Sequence, residues 1–227
     1  GAVAKQALAQ HGIVVGSHIL QINDIQEERF NPMGVSDAEL AELHAKKFAV
    51  MDDAVGEKMQ ERILQAKSEL NSVGGVVEAI ALHLPAGIGA PYFDSVESML
   101  SHALFSVPAV KGIEFGDGFG FAGLTGAEAN DALHYVDGKV LALTNHNGGV
   151  TGGITNGMPL VVRVAIKPTP SIAREQQTVS LKEQADTTLA IVGRHDPCIV
   201  QRAVPVIEAV VAWTLWDLLL EAKKWEK

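Results

Sequence analysis

One stretch constrains the fold more than any other: PVIEAVVAWTLWDLLLEA, residues Pro205–Ala222. At 3.6 residues per turn it is apolar nearly all round, and a helix of that kind must be covered on several sides. The rest of the chain therefore has to supply a sheet or further helices to bury it. Proline at the first turn of a helix costs little, so the segment predicts a helix starting at Pro205. Glu208, Thr214 and Asp217 interrupt the run, and no stretch of 18 or more consecutive apolar residues occurs, which points to a core helix rather than a membrane span. With 47% hydrophobic residues in 227, there is material for one large core, and a single domain over residues 1–227 is expected.

The partners of that helix are legible from periodicity. Ala2–Gln10 reads as the end of a helix stopped at Gly12. Ile13–Ile22 reads as a strand in which Gly16 marks a bulge or a close approach. Ser36-Asp-Ala-Glu39 is a capping box opening a helix to about Lys47. A second helix runs from near Asp52 to about Asn71, with Val55, Met59 and Ile63 on one face. Val76–Leu84, Ala109–Phe115 and Leu160–Ile166 are strand candidates. Asp94-Ser-Val-Glu97 offers another cap for a helix carrying Val96, Met99, Leu100, Ala103 and Leu104. Residues 116–157, rich in Gly and Asn, lack clear periodicity and are expected as long loops. The fold class expected is α+β, with antiparallel sheets packed on helices.

The net charge of −9 argues against nonspecific nucleic-acid binding. Residues 160–203 nonetheless carry six basic and four acidic side chains, against six basic and eleven acidic over residues 24–69. One cysteine, Cys198, excludes an internal disulfide framework and suits a reducing compartment. The first residues, GAVAKQALAQHG, contain no apolar stretch of the secretory type, so a cytoplasmic location without membrane contact is expected.

Four stretches carry candidate chemistry. GFGFAG (118–123) fits G-x-G-x-x-G, but LTGAEANDAL follows where a dinucleotide fold needs a long apolar helix, so a glycine-rich turn is the better reading. NHNGGVTGG (145–153) lets the backbone approach a ligand or simply turns. Lys167-Pro-Thr-Pro-Ser171 closes a strand with a backbone fixed by two prolines. It offers an ammonium, two hydroxyls and two amides to a phosphate or a polar ring edge. Arg194-His-Asp-Pro-Cys198 has no second ligand pair, so no metal is expected. The chain has no G-x-S-x-G, which disfavours a serine hydrolase.

Together, FDSVESMLSHALFSVPAVKGIEFGDGF, GAEANDA, TNHNGGVTGGITNGMPLVVRVAIKPTPSI and GRHDPCIVQRAVPVIEAVVAW resemble the chorismate synthase family in order and spacing. The resemblance implies a β-α-β sandwich, a helical layer between two antiparallel sheets, and a homotetramer. It implies loss of phosphate and a proton from 5-enolpyruvylshikimate 3-phosphate to give chorismate. That chemistry needs reduced FMN without net redox change, with NADPH a candidate source of the electrons. The flavin contacts it implies fall on Pro108, Ala109, Gly152, Lys167, Pro168, Thr169, Pro170, Ser171 and Arg194. Asp196 is implied as an acidic group near flavin N5 with a proton-relay role. The loops are expected to share one concave surface. The family's Gly-x-Ser-His-Gly motif is not among these residues, so the sequence reads as a C-terminal portion of such a protein. The alternative is a fragment without catalysis, persisting as a folded or oligomerising module.

Overall fold

Residues 1–223 are described by a computed structural model. Its helices are α1 (Ala2–Ala9), α2 (Asp37–Ala45), α3 (Asp53–Ser68), α4 (Val96–Phe105) and α5 (Val200–Lys223). Its strands are β1 (Val14–Ile22), β2 (Ile25–Gln26), β3 (Gly75–Leu82), β4 (Val110–Phe115), β5 (Leu133–Val136), β6 (Lys139–Ala142), β7 (Val150–Thr151), β8 (Ile154–Thr155), β9 (Leu160–Ile166), β10 (Gln176–Ser180) and β11 (Ala185–Leu189). One antiparallel sheet has the order β2-β1-β3-β9-β4, and the other strands form two-stranded hairpins. The class is α+β: α5 lies on β1 and β3, with α1 and α4 beside it, so the described residues supply one sheet and a helical layer.

The apolar helix is covered as its composition demands. Ile207, Val211, Ala212 and Leu215 are fully buried against Val15, Val77, Ala79 and Val162 of the sheet. By length and hydropathy α5 could cross a membrane, but half of that window is buried inside the protein. The buried Glu208 accepts hydrogen bonds from Ser17 Oγ (2.8 Å) and the Lys5 ammonium, which is what makes its burial tolerable. The helix begins at Val200, not Pro205, and Pro205 lies inside it. Val200 and Val204 are buried, and the amides of Arg202 and Ala203 bond to the Ile199 carbonyl. Core packing of this first turn thus outweighs the one hydrogen bond that proline removes.

Other expectations were met with local differences. The Ser36–Glu39 capping box is formed in both directions. Gly16 is a close approach: a Cβ there would sit 2.7 Å from Leu40, and the bulge in β1 falls at Ile19/Gln21 instead. Ser95, not Asp94, caps α4, its hydroxyl accepting from the Ser98 amide at 3.1 Å. Residues 116–157 are more ordered than expected. Gly118–Gly123 is a 3-10 turn, and two short hairpins follow. Asp137-Gly138 and Gly152-Gly153 take left-handed φ at both central positions, the turn that matches strand twist in two-residue hairpins.

The second face of the sheet carries an ionic row. Strand register places His18, Glu78, Arg163 and Glu114 side by side across β1, β3, β9 and β4. His18 Nε2 meets Glu78 Oε2 at 3.0 Å, and its Nδ1 meets Glu27. Arg163 bonds Glu78 at 3.2 Å, Glu114 at 2.6 Å and the Gly116 carbonyl. The Phe30 amide donates to Glu78 at 2.6 Å, and Glu27 accepts from the Met51 and Asp52 amides. Burial alone would lower the His18 pKa, but its two carboxylates outweigh burial and hold it above the ordinary value. Burial would likewise raise Glu78, and hydrogen bonds from His18, Phe30 and Arg163 bring it below the usual carboxylate range.

Candidate functional site

The implied site residues gather largely where β9 ends and β4 begins. Ile166 pairs with Gly75 on one side and Val110 on the other, so three strand termini meet there. The Lys167 amide donates to the Ala109 carbonyl at 2.9 Å, setting the Pro108–Ala109 turn against the Lys167–Ser171 loop. Ala109 has φ +74°, a left-handed conformation that costs a non-glycine residue roughly 1–3 kcal/mol and tends to cluster at binding sites. With no amide hydrogen on Pro168 or Pro170, the loop has few backbone ties of its own.

The segment between α3 and β3, which the sequence reading passed over, holds that loop in place. Ser72 Oγ donates to the Thr169 carbonyl at 2.6 Å, and the Val73 amide donates to the Pro197 carbonyl at 2.8 Å. The Arg174 amide donates to the Leu70 carbonyl at 3.2 Å. Residues 70–73 thus bring Lys167–Ser171 and Arg194–Cys198 to the same end of the sheet, although 22 residues separate the two motifs. Strained φ at Leu70 (+56°), an unusual value for a leucine, was a signal invisible in sequence.

Electrostatically this end is open. Lys167 and Arg194 are exposed, and neither has an ion-pair partner among the described residues. Asp196 is held by the Arg202 guanidinium through Oδ2, which leaves Oδ1 with no protein partner among them. His195 Nε2 lies 2.8 Å from the Ile191 carbonyl, so that nitrogen carries the proton and closes the turn before Asp196. Burial pushes the Cys198 thiol up, against a metal or nucleophilic role. Among the described residues, no cluster of three or more metal-ligating side chains occurs. Thr169 Oγ1 is buried and has no hydrogen-bond partner, an arrangement that costs stability unless something outside the chain meets it.

Gly152 does not join this group, contrary to the expectation of one concave surface. The Val161 amide, at the other end of β9, bonds Gly148, and the Gly153 carbonyl accepts from Val96 at the start of α4. The Lys167 loop follows the far end of β9, about 20 Å along the strand, and Pro108 follows the far end of α4, about 15 Å along the helix. The physical reason is that the Gly152-Gly153 turn closes a hairpin anchored to the start of β9. There it flanks a cleft of about 700 Å³ lined by Asn130, Asp131, Asn147, Thr151 and Asn156. Gly152 itself has φ +61° and open space where a Cβ would stand.

Comparison with known proteins agrees with this architecture. The family profile described as chorismate synthase matches residues 1–220. Chorismate synthase of Thermococcus kodakarensis is 44% identical over 226 residues, covering 100% of this chain and 61% of that protein. The Synechococcus chorismate synthase is 45% identical, covering 97% and 60%. A crystal structure of chorismate synthase superposes with a TM-score of 0.78 at 30% identity, over 97% of this chain and 60% of that one. The chain thus spans about three-fifths of the length of these relatives.

Proposed function

The chain belongs to the chorismate synthase family, and from that premise we propose that it supplies the β9-end wall of a reduced-FMN site. There 5-enolpyruvylshikimate 3-phosphate would lose phosphate and a proton to give chorismate. The observation that carries this reading is a buried Thr169 hydroxyl without a hydrogen-bond partner at the sheet end that also carries Lys167 and Arg194, both exposed and without ion-pair partners among the described residues. A neutral peptide surface gains nothing from leaving them so, whereas an anionic, acceptor-rich group would meet both needs.

When bound, reduced flavin would supply transient electron density while phosphate leaves. The chain's residues would bind and orient. Lys167 and Arg194 would draw in anionic groups, and the fixed turns at Pro168 and Pro170 would keep the loop's amides aimed without reorganisation. Asp196, steered by Arg202 on Oδ2, would hold or accept a proton at Oδ1. A backbone contact from Pro108 and Ala109 would close the edge. Gly152, at the other end of β9, would enter only through a ligand or a protein surface bridging that distance.

Anaerobic titration of the purified chain with reduced FMN tests the reading: saturable binding is expected, weakened at least about tenfold in the Lys167→Ala/Arg194→Ala double variant. Absence of saturable binding, or no change in the double variant, overturns it. A polypeptide of these 227 residues alone is expected to bind flavin at best weakly and to release no phosphate from the substrate, because the resemblance assigns both catalytic histidines to a segment outside them. The resemblance also implies self-association, and a light-scattering mass above 24.1 kDa would support it.

A further inference from the structure

We infer that Ser72 is a positioning residue for the flavin site proposed above, fixing the direction of Thr169 and the distance between the Lys167–Ser171 loop and Asp196. The inference rests on that reading of the site. Its geometry is independent of it.

Ser72 is 8% exposed and lies where α3 hands over to β3. Its amide is taken by Asn71 Oδ1 at 2.9 Å, and the Asn71 amide returns to the Ala66 carbonyl at 2.9 Å, so the turn is fixed from the helix side. The hydroxyl then reaches across 97 residues of sequence to the Thr169 carbonyl. The prolines on either side of Thr169 leave its peptide few other ties: the Lys167 amide on Ala109, and Gln176 Nε2 on the Pro170 carbonyl at 3.1 Å. The Gln176 bond is exposed, whereas the Ser72 bond is shorter and partly buried, so the second is the stronger constraint on the peptide plane.

Close packing supports the same role. A Cβ on Gly74 would stand 2.3 Å from the Ile166 carbonyl and 3.0 Å from Pro168, so residues 72–74 lie directly on the base of the loop. One residue after Ser72, the Val73 amide holds Pro197, the neighbour of Asp196. A single short segment thereby gauges both motifs. Releasing its hydroxyl should let the Thr169 peptide rotate, misaiming the partnerless Oγ1 while leaving the sheet in register.

The test is a double-mutant cycle in FMN affinity on the full chain, using Ser72→Ala, Thr169→Val and both together. Each single change should weaken binding by about three- to tenfold, the worth of one hydrogen bond. The double variant should be no weaker than the worse single one, because the two act through one peptide. Ser72→Thr, which keeps the hydroxyl, should bind like the parent. Additive losses, or a Ser72→Ala variant with parental affinity, overturn the inference even where Lys167→Ala/Arg194→Ala abolishes binding. Parental affinity in all variants, the Lys167→Ala/Arg194→Ala pair included, overturns the site reading and this inference with it. Melting temperature alone does not separate these outcomes, since a purely structural serine would also lower it.

Discussion

The ionic row across the sheet and the loop end of the same sheet use similar residues in opposite ways. In the row, His18 and Arg163 each face two carboxylates, and backbone amides take up the spare oxygens of Glu27 and Glu78. At the loop end, barely a strand length away, Lys167 and Arg194 face no carboxylate and Thr169 Oγ1 faces nothing in the described chain. Charges removed from water must be paired or the fold fails, so the row is written for the fold. Charges left in water and a hydroxyl left unsatisfied do nothing for the fold, which is why that end reads as written for a ligand.

The comparison breaks most visibly if Arg163 can be removed without harm. Arg163→Met leaves Glu78 and Glu114 buried or half-buried beside an apolar chain. The expected loss is about 3–5 kcal/mol in urea unfolding at neutral pH. A loss under about 1 kcal/mol would show that water or relaxation compensates the row.

At the loop end the same measurement should find almost nothing. The Lys167→Ala/Arg194→Ala variant should unfold within about 0.5 kcal/mol per site of the parent, as exposed, unpaired side chains do. Its loss should appear only in flavin affinity. Destabilisation comparable to that of Arg163→Met would erase the distinction between the two regions.

Acidity sharpens it further. His18 has a raised pKa in the folded chain, so it binds its proton more tightly there than in the unfolded chain, where about 6.5 is ordinary. Its stabilising effect should be complete below that pH and fade as pH climbs through the folded value. Glu78 is lowered, so its contribution is present above about 4.3 and fades as pH falls through its folded value. Stability curves of the parent and of His18→Gln should therefore converge on the alkaline side. Parallel curves from pH 6 to 9 would argue that the imidazole is neutral in the fold.

One further effect has the opposite sign. Thr169→Val replaces a buried hydroxyl that no group among the described residues meets, so it should raise stability by about 1 kcal/mol while weakening flavin binding. A destabilised Thr169→Val would mean that the hydroxyl has a partner in the free protein.

Much of this was legible beforehand, for identifiable reasons. Helix periodicity and the Ser36 box located α2 and α3, and the burial demand of the last helix forced a sheet beneath it. The start of α5 was misplaced because core contacts of Val200 and Val204 depend on tertiary packing. The hairpins within 116–157 had a readable sign in Asp137-Gly138, a dipeptide suited to a tight turn. The row also had one: a lone Glu and a lone Arg stand in the otherwise apolar β3 and β9, a His stands in the middle of β1, and their signs are complementary. What could not be read was register, which decides whether those three ever meet. The role of residues 70–73 was likewise hidden, since hydrogen bonds across 97 residues leave no local trace.

The β10–β11 hairpin separates the two motifs in sequence and carries an exposed tip, with Leu181 88% accessible. Each of its stems is fastened independently to residues 70–73, through Arg174 on one side and Pro197 on the other. Continuity of the covalent chain at the tip is therefore dispensable to the architecture. A protease cutting after Lys182 should yield two fragments that elute as one particle, the shorter one contributing α5 to the core. The same tip is a natural seam for a split version of the protein, or for grafting a reporter sequence between two motifs that would not register its presence.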